Sequence, residues 1–159
     1  TVNSYNGLVP RVGGFEGGTV TWAPTNITYG HNNRSAQFRL PQNRYCIENR
    51  AADMTMNVYL AFSMTLSAAV EGIKKKIHPG KPTDQDLYNM TDSEFKKLGI
   101  KRLPRNLLMA LEALKKDNFS DEVIGSVMKK SLLAYKNDEW ERYHQAVTDW
   151  EVKEYLRLY

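Results

Sequence analysis

Ser35-Ala36-Gln37-Phe38-Arg39-Leu40 and, after Pro41-Gln42-Asn43-Arg44, Tyr45-Cys46-Ile47-Glu48-Asn49-Arg50 are the two runs that decide how this chain is read. In the first, Ala36, Phe38 and Leu40 alternate with Ser35, Gln37 and Arg39. In the second, Tyr45, Ile47 and Asn49 alternate with Cys46, Glu48 and Arg50. Alternation with a period of two predicts a pair of strands, with the proline-containing linker turning the chain between them. It sends Arg39 to one face of its strand and both Glu48 and Arg50 to one face of theirs. Arg34 has the opposite parity and is expected at the strand entrance.

On the N-terminal side, Gly13, Gly14, Gly17 and Gly18 mark a loop around Phe15 and Glu16. Thr19 to Trp22 and Asn26 to Tyr29 read as short strands. Composition changes near Met54, from Gly, Asn and Thr to helix formers. A helix is expected from about Asn57 to Lys76, apolar nearly all round and therefore buried, with Pro79-Gly80 as its stop. A short helix is expected near Asp84 to Tyr88, and Thr91 with Glu94 predicts a capping box for another. Pro104 opens a helix whose Leu107, Leu108, Leu111 and Leu114 share a face. Ser120 is read as the cap of a further piece. Val127 to about Gln145 forms a long helix, and Thr148 with Glu151 caps the last. The expected fold is therefore α+β: a few antiparallel strands of an incomplete sheet, then a mostly helical C-terminal portion. Residues 1–159 are read as one partial domain, with strands and a flap loop in 1–52 and helices in 53–159.

Composition excludes several classes. The 159 residues are 42% hydrophobic and 25% charged, ordinary for a globular domain. The net charge of +4 comes from Lys and Arg interleaved with Asp and Glu, as in Lys136, Asp138, Glu139, Glu141 and Arg142. Such mixing is a solvated face, so no nucleic-acid partner is expected. Cys46 is the single cysteine, which rules out an intrachain disulfide and a cysteine-based metal knuckle. The apolar run Val58 to Val70 is too short and too polar to span a bilayer, so no membrane partner is expected. The first residue is Thr1, and a piece of a longer cytoplasmic protein is the expectation.

Chemistry concentrates in one stretch. Arg34 and Arg39 place two guanidinium groups in one short segment, and Glu48 and Arg50 share a strand face. Singly, each has a bland reading as a surface cation or an ion pair. Together they set a metal-competent carboxylate among cations, as ATP-dependent phosphoryl transfer requires. His31, His78 and His144 show no metal-ligand spacing, and neither a P-loop nor a Gly-x-Gly-x-x-Gly motif is present.

Several spaced motifs resemble those of the glutamine synthetase family. Asn3-Ser4-Tyr5 and Leu8-Val9-Pro10 resemble N-S-Y-K-R-L-V-P. Asn33-Arg34-Ser35-Ala36 with Arg39-Leu40-Pro41 resembles N-R-S-A-x-x-R-I-P, and Ile47-Glu48-Asn49-Arg50 resembles I-E-x-R. Asp53, Asn57, Tyr59-Leu60-Ala61, Gly72-Ile73 and Ile77-His78-Pro79-Gly80 continue in register, and Trp150-Glu151 with Tyr155-Leu156 also fit.

The resemblance implies an ATP-dependent ligase of glutamine biosynthesis. It would join glutamate to ammonia through a γ-glutamyl phosphate, with Mg²⁺ or Mn²⁺ as cofactor, in a ring-shaped homo-oligomer whose active sites form between subunits. By resemblance, Arg34 contacts the transferring phosphoryl group and Arg39 the nucleotide phosphates. Glu48 ligates the metal, Arg50 holds the glutamate side chain, and Glu16 is the flap glutamate. Gly7 stands at the substrate-binding position where the family has the Arg of K-R-L-V-P. Cys46 stands where an Arg often precedes the metal-binding Glu, and Val58 replaces the usual Pro. Thr21-Trp22-Ala23-Pro24 and Tyr29-Gly30 look like the branch that joins glutamate to methylamine or other organic amines. That amine chemistry is one alternative. An inactive homologue acting in binding or assembly is another.

Overall fold

The computed structural model describes residues 24, 26–53, 55–88 and 90–156. The Gly-rich loop with Glu16, the stretch containing Gly7 and the strand expected over Thr19 to Trp22 lie outside the described residues. Among the described residues, four strands form one sheet: β1 (Asn26–His31), β2 (Ala36–Leu40), β3 (Glu48–Asn49) and β4 (Lys101–Arg102), in the order β3-β2-β1-β4. The alternating runs do pair, β2 antiparallel to β3, but the second keeps ladder geometry only at Glu48 and Asn49. β4 also pairs antiparallel, with β1.

The β1–β2 pairing is parallel. A short connection can join parallel neighbours only by running back along the strand it leaves. From His31 to the start of β2 beside Asn26 is about 17 Å at strand rise, close to the roughly 18 Å that five residues can reach. The return segment Asn32 to Ser35 is therefore nearly taut. It reverses direction at Asn32, a non-glycine residue with φ of 52°.

Among the described residues, six helices follow: α1 (Val58–Lys74), α2 (Asp92–Leu98), α3 (Leu107–Lys116), α4 (Asn118–Ile124), α5 (Ser126–Gln145) and α6 (Asp149–Tyr155). Both capping boxes form as the sequence predicts, at Thr91 with Glu94 and at Thr148 with Glu151. Asn57 caps α1 by accepting from the amides of Tyr59 and Leu60. Its end is a Schellman motif rather than the Pro79-Gly80 stop: Ile77 N–H donates to Gly72 O and Lys76 N–H to Ile73 O, with Lys76 left-handed at φ 51°. Two further expectations are corrected. The cap of α4 is Asp117, whose carboxylate accepts from the Ser120 amide, while Ser120 is fully buried inside the helix. α3 starts at Leu107 behind the cap Asn106, three residues after Pro104.

The largest difference is at α1. The sequence predicts a buried helix, yet no residue of α1 is buried, and Tyr59, Phe62, Leu66, Val70 and Ile73 are exposed along one face. α1 packs on α4, and α3 and α4 pack on α5. Among the described residues, the buried apolar side chains include Ala36, Leu87, Phe95 and Leu111. An all-round apolar helix calls for a cover, and the described residues supply it on one side only.

Candidate functional site

The site is built on the β2–β3 ladder and on the taut return before β2. Arg39 and Glu48 are direct cross-strand partners, so their side chains leave the same face within reach. Arg39 Nη1 donates to Glu48 Oε2 at 2.9 Å, and Arg50, two residues along, donates from Nη1 to Oε1 at 2.6 Å. Arg44, from the turn, reaches Oε2 at 3.3 Å. One carboxylate thus meets three guanidinium groups, and the cluster is net positive. Partial burial alone raises the Glu48 pKa, but hydrogen bonds and charge from Arg50 and Arg39 outweigh it and hold the carboxyl below its ordinary value.

The same arginines tie the ladder to the return segment. Arg39 Nη2 donates to Asn32 Oδ1, and Arg50 Nε donates to the Arg34 carbonyl at 3.0 Å. Arg34 precedes β2, as its parity predicts, and its exposed side chain lines an open cleft of about 630 Å³ together with Arg39, Asp84, Asp86 and Tyr88. Arg34, Arg39, Glu48 and Arg50 are thereby brought into one neighbourhood. The cleft has cations on one wall and carboxylates on the other.

The other wall is what sequence reasoning missed. Residues 84–88, expected as a helix, form no helix. Their backbone partners lie in the β1–β2 region instead. Thr83 N–H donates to Tyr29 O at 2.8 Å, the Thr28 and Thr83 hydroxyls pair at 2.8 Å, and Leu87 N–H donates to Ser35 Oγ at 3.0 Å. Asp84 accepts from the His31 backbone at 2.6 Å and lies 3.2 Å from its Nδ1; the backbone bond, then the ring contact, lower its pKa. Burial raises the pKa of the Tyr88 hydroxyl, which donates to the Arg34 carbonyl at 3.4 Å. A signal for this wall was in the sequence. Gly30 sits inside a strand, where glycine often marks a close backbone approach.

His78 Nδ1 accepts from Gly80 N–H, and His144 Nδ1 lies 2.9 Å from Trp140 O. Among the described residues no three His, Cys, Asp or Glu side chains gather in a way that could hold a metal ion. Glu48 stands engaged by three arginines. No described helix is long and apolar enough to cross a membrane.

The open cleft lined by Arg34 and Arg39 lies next to the Arg39–Glu48–Arg50 cluster of the β2–β3 ladder. The family model for the glutamine synthetase catalytic domain matches residues 1–155, and the chain belongs to that family. Its relatives fall on two branches of named activity. Glutamine synthetase of Methanocaldococcus jannaschii is 41% identical over 159 residues, covering 98% of this chain and 33% of that protein. Glutamate–methylamine ligase of Methyloversatilis universalis is also 41% identical over 159 residues, covering 100% of this chain and 35% of that protein. A solved structure of GmaS with ADP superposes with a TM-score of 0.72 at 33% identity, over 86% of this chain and 30% of that one. Apo GmaS gives 0.69 at 33% identity, over 84% and 30%. The chain spans about a third of the length of the curated relatives it matches.

Proposed function

We propose that this chain is the C-terminal part of the catalytic domain of an ATP-dependent ligase that makes a γ-glutamyl amide from glutamate and ammonia. The observation that carries the reading is the cluster of Arg39, Arg50 and Arg44 on Glu48, next to the open cleft that Arg34 and Arg39 line. The reaction gathers two anions, ATP and a glutamate carboxylate, and spreads charge over the oxygens of a transferring phosphoryl group. Fixed guanidinium groups stabilise such charge without reorganising.

In this reading the γ-phosphoryl group of ATP passes to the glutamate side-chain carboxylate, releasing ADP. The amine lone pair then attacks the acyl carbon, phosphate leaves with the C–O electron pair, and the amine loses a proton. Arg39 faces the nucleotide phosphates, Arg34 the transferring group and Arg50 the glutamate carboxylate, whose planar oxygens suit a guanidinium fork. Glu16 belongs to the flap that covers the intermediate, and Gly7 lies in the glutamate-binding segment. Mg²⁺ or Mn²⁺ would supply further positive charge at the phosphates. Among the described residues no three potential ligands gather, so Glu48 would share the metal with ligands from elsewhere in the longer protein, within a homo-oligomeric, cytoplasmic enzyme.

A second reading keeps the chemistry and changes the nucleophile to an organic amine. The glutamate–methylamine ligase relative and the GmaS structures favour it. ADP release by the full-length protein, measured with glutamate and a panel of ammonia, methylamine and larger amines, tests both. Glutamate-dependent turnover supports the ligase, and the best amine selects the branch. No turnover with any amine in the presence of Mg²⁺ or Mn²⁺ would leave a role in binding or assembly.

A further inference from the structure

We propose that Thr83–Leu87 is a strap that positions Arg34 for phosphoryl transfer, that it acts through the side chain of Asn33, and that it lies where it does because residue 30 is glycine. The proposal rests on the ligase reading and adds to it a set of residues that act through the position of Arg34, Asn33 and Ser35 among them lining the same cleft.

Asn33 uses its amide in two directions. Nδ2 donates to two strap carbonyls, Thr83 O at 2.7 Å and Gln85 O at 2.9 Å. Oδ1 accepts from Ser35 N–H at 2.9 Å and Ser35 Oγ at 2.6 Å. Asparagine fits this demand for two donors and a double acceptor on a short stem. Aspartate lacks the donors, and glutamine is a methylene too long. Ser35 continues the network, since its Oγ also accepts from Leu87 N–H at 3.0 Å. The residues on both sides of Arg34 are therefore pinned to the strap. Its own carbonyl is held by Arg50 Nε and the Tyr88 hydroxyl.

Gly30 makes the close approach possible. A Cβ added there would lie 2.2 Å from Thr83 O and 2.9 Å from Asn33 Cβ. Thr83 O is the same carbonyl that Asn33 holds, so any side chain at 30 pushes the strap off its anchor. His31 and Tyr29, flanking Gly30, bind Asp84 and Thr83 by their backbones. Three consecutive β1 residues thus fix one end of the strap, and Asn33 and Ser35 carry that position to Arg34. Misplacing a catalytic group by an ångström costs about 100-fold in rate.

The test uses the full-length protein and glutamate-dependent ADP release, with Asn33→Asp and Gly30→Ala each made alone and on an Arg34→Lys background. Asn33→Asp keeps the acceptor for Ser35 and turns the donor to the strap into an acceptor facing two carbonyls. Each single variant is expected to lower kcat about 10- to 100-fold with the ATP KM within about threefold, since the loss falls on the transition state. On the Arg34→Lys background the further loss is expected to shrink below about threefold, the signature of residues acting through one another. A loss that stays the same size on that background, or an Asn33→Asp enzyme with normal kcat, overturns the strap and leaves the ligase reading standing. Full activity of Arg34→Lys and Arg34→Ala overturns the strap together with the role given to Arg34, while a wild-type protein without glutamate-dependent ADP release overturns the ligase reading itself. If Asn33→Asp does not fold, Gly30→Ala tests the same coupling by its own route, and a normal kcat there overturns the strap equally.

Discussion

Glu48→Gln is the most informative single change, because its effect on stability follows from the geometry and its pH dependence has a fixed sign. The carboxylate binds Arg50 at 2.6 Å and Arg39 at 2.9 Å, with arginine side chains only 17% and 16% exposed, and Arg44 at 3.3 Å with 60% exposed. Glutamine keeps the shape and one acceptor, loses the charge, and turns an NH₂ toward guanidinium donors. The exposed Arg44 contact contributes about 0–1 kcal/mol. The two half-buried charge-assisted bonds are worth roughly 1.5–3 kcal/mol each and are not additive. Breaking one partner of a fully buried pair costs about 3–5 kcal/mol. Since the Glu48 side chain is 27% exposed, the expected loss at pH 7 is toward the lower end, about 2–4 kcal/mol. Urea unfolding of the 159-residue chain and its variant measures it. The folded pKa of Glu48 is lowered, so its contribution is complete above the ordinary carboxyl value and is lost as pH falls through the folded value. The gap between wild type and variant should accordingly close on acidification. A loss under about 0.5 kcal/mol at pH 7, or a gap undiminished in acid, would refute the reasoning.

Arg50→Lys in the full-length protein replaces a planar fork by a point charge. A lost bidentate contact of about 2–3 kcal/mol should lower glutamate kcat/KM roughly 30- to 150-fold, and near-normal glutamate kinetics would count against the assignment. The 159-residue chain alone should release no ADP above background with glutamate, ATP and Mg²⁺, because one carboxylate cannot organise the metal; measurable glutamate-dependent turnover contradicts this. The exposed stripe Tyr59, Phe62, Leu66, Val70 and Ile73 on α1 should drive self-association of the isolated chain. Phe62→Asp with Leu66→Lys should shift its sedimentation toward monomer, and a wild-type chain that stays monomeric at high concentration refutes the idea.

Local rules reached the local features. Capping boxes at Thr91 and Thr148 and the parity of Arg39, Glu48 and Arg50 depend on neighbours a few residues away, and the sequence contains those neighbours. The spaced motifs carried the family, because together they constrain many positions at once. Tertiary structure alone decided the rest. The parallel course of β1 and β2 depends on a taut return whose direction no periodicity encodes. Asp84–Tyr88 has the composition of a helix start, but the Gln85 carbonyl and the Leu87 amide find partners in Asn33 and Ser35, about fifty residues earlier, and those bonds replace helical ones. Which charges meet at Glu48 is likewise a tertiary matter, since strand register and turn length bring three guanidinium groups to it. α1 shows the same division from the other side: its sequence specifies an apolar helix, while what covers it depends on surfaces that lie far away along the chain or outside these residues.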